Sequence, residues 1–281
     1  DRFGTAFPDK NGNFVLLSGN QMGALLMEYI FLSRKELGKL PKDSYCVRSI
    51  VTSPFGDEIC RKYGVEMIEC LTGFKWIAAV EAEREASNKG TYVFGLEESY
   101  GYKIETEVMD KDGVSAAAMC AEMTMYWRSK GKSLLEHLDD MYKEYGYFED
   151  RSISKNFLGS EGIAIMKNIM NKLRTEGLKT LAGKKVLKIR DVQTSCEYSP
   201  ENPDKKQKLN LPKSNVIQFF LEGGTIVSAR PSGTEPKIKF YINTKNEVGG
   251  AKCDGCLAAA KKEASALCDL IADDINKMLA S

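Results

Sequence analysis

The chain has 281 residues, enough for two ordinary domains that each bury a core. Apolar residues make up 43%, charged residues 28%, and the formal net charge is +1, so the bulk chain has no electrostatic case for binding nucleic acid or a membrane surface. No apolar run is long enough to cross a bilayer and no N-terminal signal pattern is present, so the expectation is a cytoplasmic protein with neither nucleic acid nor membrane as partner. Any affinity for phosphate must come from a few local Lys and Arg residues.

The first residue is Asp1 rather than Met, which reads as a trimmed N-terminus. Residues 1–18 look like a fragment of something upstream, with Phe14-Val15-Leu16-Leu17 as a strand that has lost its sheet. From Asn20 a helix is expected, because Met22, Leu25, Leu26, Tyr29 and Ile30 recur at helical spacing. Strands and helices then alternate: a β-branched strand at 47–52, a helix at 55–63 ended by Gly64, a strand at 65–70, a helix at 75–88 stopped before Gly90, and a strand at 91–94. That order implies βαβ units and a parallel sheet. Helices follow at about 114–129 and 134–145.

The second half has another character. A helix is expected at 162–174 and a strand at 185–192, while 196–215, rich in Pro, Asn, Lys and Ser, reads as a long loop. Segments 216–221 and 225–229 flank Glu222-Gly223-Gly224, a hairpin signal. Segment 237–243 alternates Ile238, Phe240 and Ile242 with Lys239 and Tyr241, as a half-buried antiparallel strand does. The C-terminal stretch carries Ala264, Leu267, Cys268, Ile271, Ile275 and Met278 at helical spacing and should pack on that sheet. The fold class expected is therefore α/β: a parallel-sheet α/β domain over 19–150, then a smaller α+β domain with an antiparallel sheet over 151–281.

Eight cysteines are scattered, most in apolar surroundings, and read as free thiols of a reducing compartment. Cys253-Asp254-Gly255-Cys256 is the one close pair. With no second pair nearby and the single histidine, His137, far away in sequence, it reads as a surface turn rather than a zinc or redox site.

Ligands of open parallel sheets bind beyond the carboxyl ends of the strands. Three segments qualify: Thr52-Ser53-Pro54, Leu71-Thr72-Gly73-Phe74-Lys75, and Gly95 to Tyr102, read as a loop. The third holds Glu97, Glu98 and Ser99, acceptors and a donor suited to sugar hydroxyls. A solvated turn explains it equally well, and a glycosidase-like acid/base pair is disfavoured because adjacent residues of an extended chain point to opposite faces. Lys75 opens a helix, where its charge opposes the dipole and a bound phosphate would offset the cost; a surface lysine is the simpler reading. Asp110-Lys111-Asp112-Gly113 is a charged turn with Asp112 as N-cap, from which Lys111 could reach a ligand. The strongest local signal is Arg230-Pro231-Ser232-Gly233-Thr234-Glu235-Pro236: a forked cation, two hydroxyls, a glycine and two stiffening prolines, arranged as an anion cradle or else as a rigid turn. It lacks the spacing of a Walker A loop.

These segments, in this order, resemble those of the α-D-phosphohexomutases. Gly95 to Tyr102 resembles the sugar-binding loop of the family's third domain, in the manner of its glucomutase branch, and Arg230 to Lys237 resembles the phosphate-binding loop of its fourth. Thr72 to Lys75 and Asp110 to Gly113 are similar to further family segments, Leu17 to Gln21 resembles the entry to the third domain, and Asp1-Arg2 resembles the end of the metal loop in the second, of which 1–18 would be the remnant. The resemblance covers nearly the whole chain. It implies interconversion of glucose 1-phosphate and glucose 6-phosphate through a phosphoserine and a bisphosphorylated sugar, with Mg²⁺ and glucose 1,6-bisphosphate as cofactors. By residue it implies Glu97 and Ser99 on the sugar hydroxyls, with Glu98 between them a weaker match. It implies Arg230, Ser232, Gly233 and Thr234 on the phosphate, and Thr72, Gly73, Lys75 and Lys111 lining the substrate site. Asp1 would be one metal ligand of three. No serine loop of the Thr-x-Ser-His-Asn-Pro type occurs in the sequence, so no catalytic residue is expected here, the first two domains would be partners supplied from elsewhere, and the chain alone should be inactive. Phosphomannomutase, phosphopentomutase and a non-catalytic sugar-phosphate-binding module remain alternatives.

Overall fold

The computed structural model describes residues 1–104, 106–157, 161–233, 235–249 and 253–280. The chain divides into two compact units, Asp1–Tyr145 and Gly146–Ser281.

The first unit begins with a hairpin of β1 (Ala6–Pro8) and β2 (Phe14–Leu16), so the Phe14 segment is paired, not orphaned. The Asp9 carboxylate closes its turn by accepting the Asn11 and Asn13 amides at 2.8 and 2.9 Å. Helix α1 (Gly19–Glu36) starts at a capping box in which Ser18 accepts the Gln21 amide and the Gln21 side chain accepts the Ser18 amide. Its middle is buried on all sides: Met22, Leu25, Leu26 and Met27 are inaccessible to solvent.

β3 (Ser44–Ser49), α2 (Phe55–Tyr63), β4 (Glu66–Cys70), α3 (Phe74–Ala86), β5 (Thr91–Glu97) and β6 (Gly101–Lys103) build a sheet of order β4-β3-β5-β6. β3 pairs in parallel with β4 and β5, as the βαβ pattern requires, and is buried at every position. α3 packs against Tyr45, Val47, Cys70 and Tyr92 through Phe74 and Ile77, while α1 and α2 meet each other and the rest of the unit through Met27 and Cys60. α4 (Gly113–Ser129) and α5 (Leu134–Tyr145) follow at nearly the expected positions.

The 95–102 reading needs correction. Gly95, Leu96 and Glu97 continue β5, and β6 returns antiparallel through the pairs Gly95↔Lys103, Leu96↔Tyr102 and Glu97↔Gly101. The expected loop is a tight hairpin turn whose return strand is only three residues long, too short to show a period.

In the second unit, β7 (Tyr147–Asn156), α6 (Glu161–Thr175), β8 (Thr180–Leu181), β9 (Lys184–Asp191), β10 (Cys196–Ser199), β11 (Asn202–Lys208), β12 (Ile217–Leu221), β13 (Ile226–Pro231), β14 (Lys237–Asn246) and α7 (Asp254–Ala280) form an antiparallel sheet of order β11-β10-β9-β12-β13-β14-β7, with β8 on β9. Ile189, Ile217, Phe219, Val227, Phe240 and Ile242 on one face pack against Met170 and Leu173 of α6 and Cys268, Ile271 and Ile275 of α7. The last helix does lie on the sheet.

Two further expectations fail here. Residues 196–215 are not one long loop, since β10 and β11 extend the sheet through Cys196↔Asp191 and Cys196↔Lys208. β11 is exposed at all seven positions and polar, a lysine-rich edge strand whose pairing rests on main-chain bonds. β7, for which the sequence showed no strand period, pairs with β14 from Tyr147↔Asn246 to Asn156↔Lys237. Cys253 to Cys256 lies at the surface, as expected, and leads into the first turn of α7, with the Leu257 amide bonded to the Cys253 carbonyl at 3.0 Å. No helix among the described residues is long and apolar enough to cross a membrane, and all eight cysteines are free thiols.

Candidate functional site

In the first unit the register Ser49↔Cys70 and Arg48↔Leu96 brings the carboxyl ends of β3, β4 and β5 to one edge of the sheet. Glu97 closes β5 there. It is 8% exposed and lies against Gly101, where a Cβ would stand 2.6 Å from Phe74 Cε2 and 2.7 Å from Glu97 Cγ. Only a residue without a side chain allows that approach. Burial pushes the Glu97 carboxyl above the usual carboxylate range; Glu98 adds to the rise, and Lys111 and Arg2 oppose it. Among the described residues Glu97 has no hydrogen-bond partner.

Its neighbours are already engaged. Glu98 accepts the Ser49 hydroxyl at 3.2 Å and the Ser99 hydroxyl at 3.0 Å, and Ser49 is bonded in turn to Thr52 at 2.9 Å. The Ser99 carbonyl accepts Arg2 Nε at 3.0 Å, and the Tyr100 carbonyl accepts the Phe3 amide at 3.1 Å. Tyr100 takes φ 61°, a conformation that costs a bulky side chain energy and is held here by these bonds. The return strand is pinned as well. The Tyr102 hydroxyl donates to the Gly19 carbonyl at 2.9 Å, and buried Lys103 pairs with Glu81 at 2.7 Å.

Gly73, at φ 109°, turns the chain into α3. Thr72 is half-buried beside it, and Phe74, like Glu97, flanks Gly101, with Lys111 Nζ 5.4 Å from the Phe74 ring centroid. Lys75 is exposed, 5.5 Å over the ring of its neighbour Trp76, and no described contact joins it to Glu97 or Ser99. Lys111 Nζ pairs with Asp110 at 3.2 Å and Asp1 at 3.3 Å. Asp112 caps α4, accepting the Val114 and Ser115 amides at 2.9 and 3.1 Å. The structure thus gathers Gly73, Glu97, Ser99 and Lys111 around Phe74 and the hairpin turn, and leaves Lys75 to one side.

The metal expectation fares differently. The Asp1 carboxylate is taken up by Lys111, and among the described residues no group of three or more His, Cys, Asp or Glu is placed to hold a metal. A single paired carboxylate does not fit Mg²⁺, which needs several oxygen ligands.

In the second unit Arg230 is the penultimate residue of β13, directly opposite Lys239 of β14, which is opposite Ser154 of β7. These side chains share the sheet face opposite the apolar core. Neither cation forms an ion pair with a described residue. Like charges facing across two strands repel, so the pair is a cost that a bound anion would offset. Beyond Pro231 the turn is held by the Ser232 amide on the Lys237 carbonyl at 2.7 Å and by the Glu235 amide on Ser232 Oγ at 3.3 Å. Gly233 is exposed, with open space where a Cβ would stand. Thr234 lies outside the described residues.

Sequence reasoning passed over Lys239, Phe74 and Ser49. Lys239 was visible as the polar phase of an alternating strand, but its register against Arg230 was not. Phe74 was named only as part of the 71–75 segment and Ser49 only as part of a strand, and neither was given a role at the site. An apolar cavity of about 460 Å³, lined by Phe7, Pro8, Arg128 and Leu134 among others, shares no residue with these loops.

Residues 18–145 match the family model described as phosphoglucomutase/phosphomannomutase, alpha/beta/alpha domain III. The chain is 34% identical over 244 residues to a phosphoglucomutase of Staphylococcus haemolyticus and 36% identical over 245 residues to one of Staphylococcus aureus. Those matches cover 86% and 87% of this chain and 43% of each relative, so the chain spans less than half the length of the curated relatives it matches. Among solved structures it is similar in fold to parafusin, a phosphoglucomutase of Paramecium, at TM-score 0.53 and 17% identity over 92% of this chain and 42% of that one. It is likewise similar to a phosphoglucomutase/phosphomannomutase family protein of Burkholderia thailandensis, at TM-score 0.53 and 14% identity over 99% of this chain and 44% of that one.

Proposed function

Because the chain belongs to the α-D-phosphohexomutase family, with residues 18–145 matching its third domain, we propose that it supplies the sugar- and phosphate-binding half of a phosphoglucomutase. The whole enzyme would interconvert glucose 1-phosphate and glucose 6-phosphate. Glucose is preferred over mannose or a pentose because the relatives at 34–36% identity are named phosphoglucomutases.

The observation that carries the reading is Glu97, a buried carboxylate left without a protein partner at the carboxyl edge of a parallel sheet. Its oxygens are not sealed from solvent, so sugar hydroxyls could donate to them in place of water, in a largely buried setting where such bonds are stronger than in bulk water. Glu98 and Ser49 hold the turn in shape, so the acceptor is in place before the ligand arrives. In the second unit Arg230 would grip the phosphate as a fork, with Lys239 beside it and Ser232, Gly233 and Thr234 adding hydroxyl and amide donors. Grips of this kind fix a sugar for in-line phosphoryl transfer. The phosphoserine, the metal aspartates and Mg²⁺ would belong to domains outside this sequence, and glucose 1,6-bisphosphate would be the intermediate of the whole enzyme.

The chain alone is expected to bind glucose 6-phosphate weakly and to show no turnover in a coupled glucose 1-phosphate assay. Turnover by the isolated chain would overturn the division of labour. Calorimetric binding of glucose 6-phosphate that survives Arg230→Ala unchanged would overturn the phosphate grip.

A further inference from the structure

We propose that Cys253 and Cys256 are a reversible thiol–disulfide exchange site at the start of α7, reacting with disulfides of the low-molecular-weight glutathione class. The two sulfurs lie 2.7 Å apart, and Cys253 Sγ also accepts the Cys256 amide at 3.2 Å. The spacing of three places both thiols on the same side of the first helical turn, within the range of Cα separations that a disulfide bridges without backbone movement. Cys253 is exposed and Cys256 half-buried behind it, the order expected of an attacking and a resolving thiol. Hydrogen bonds from the Cys256 thiol and amide hold the Cys253 thiol below its usual range, and the N-terminal end of a 27-residue helix favours the thiolate further. By contrast Cys46, Cys60, Cys70, Cys120 and Cys268 are buried, and those of Cys70 and Cys268 are pushed up to about 12 by burial. Cys196 is the remaining thiol with partial access, bonded to the Thr194 hydroxyl at 3.0 Å.

The exchange balances as follows. The Cys253 thiolate attacks one sulfur of the small disulfide, its S–S bond breaks, and the expelled thiolate takes a proton from solvent. Cys256 gives up its proton, attacks Cys253 Sγ and expels the second small thiolate, which is protonated in turn. Two protein thiols are oxidised to one disulfide and one small disulfide is reduced to two thiols; a dithiol reductant runs the steps backwards.

The test equilibrates the folded chain with glutathione buffers of graded oxidised-to-reduced ratio, traps free thiols by alkylation, and maps the products by mass spectrometry. A Cys253–Cys256 disulfide is expected at ratios that leave Cys196 unmodified, reversed by dithiothreitol. Cys253 should alkylate about tenfold faster than Cys196. Cys256→Ser should accumulate a glutathione adduct on Cys253, and Cys253→Ser should abolish the fast reaction while circular dichroism stays unchanged. A pair that stays reduced in oxidised glutathione, a Cys256→Ser variant without adduct, or a pair shielded from alkylation by retained zinc would each overturn the proposal.

Discussion

The acidic hairpin turn of the first unit and the basic turn of the second, the two segments proposed to meet the substrate, are built in opposite ways. Around Glu97 almost every neighbour is already bonded: Glu98 to Ser49 and Ser99, Ser99 to Arg2, Tyr100 to Phe3. One largely buried carboxylate, Glu97, is left without a hydrogen bond among the described residues. Around Arg230 the surplus is positive charge. Strand register sets it opposite Lys239, and prolines 231 and 236 stiffen the turn with few side-chain bonds. Specificity for hydroxyl geometry calls for a rigid, bonded frame, whereas gripping a phosphate calls mainly for unpaired cations at a fixed spacing.

That contrast can be broken by substitution. Arg230→Ala should have the largest effect, weakening glucose 6-phosphate binding by about 1.5–3 kcal/mol in calorimetry with no change in melting temperature. Arg230→Lys should fall between, since an ammonium cannot form the fork. Gly101→Ala should strike the other region through its frame, costing about 1–3 kcal/mol in denaturant unfolding of the first unit as the new methyl meets Phe74 and Glu97.

Asp112→Ala removes the cap of α4 and should cost about 1 kcal/mol. The Ser115 hydroxyl and the Val114 amide hold the Asp112 carboxyl below its usual range. Its contribution is therefore complete above the ordinary aspartate value of 3.8 and is lost as pH falls through the lowered one, so wild type and variant should converge in strong acid.

The smallest effect sharpens the comparison most. Glu97→Gln removes a buried charge and should raise the melting temperature by about 2 °C at neutral pH while weakening sugar binding. The raised folded-state value means that wild-type stability declines as pH climbs from the usual carboxylate range through it, so the advantage of Gln should vanish in acid. A variant that is less stable than wild type at neutral pH would show that Glu97 is a structural acceptor after all.

Much of the fold was legible because local signals agreed. Helix 55–63 and its Gly64 stop, helix 134–145 and the start of the alternating strand at Lys237 all lie where periodicity put them, although that strand runs on to Asn246. β11 was illegible because a wholly exposed edge strand buries no face and so leaves no period. β6 was too short, and β7 carries polar residues on both faces over most of its length. At the site, Glu97, Ser99 and Arg230 stood out as chemistry next to strand ends. That Glu98 is tied to Ser49, 49 positions away, did not.

Sequence by itself determined which residues carry charge, hydroxyls and turn-forming glycines, and hence the two segments proposed to meet a sugar phosphate, because those properties belong to single residues and short windows. Only the tertiary structure decided which of the two adjacent glutamates stays unpaired, that Lys239 stands opposite Arg230, and that Cys253 and Cys256 touch at a helix start. Each of these depends on strand register or helix phase, and a shift of one residue in either would turn the side chain to another face.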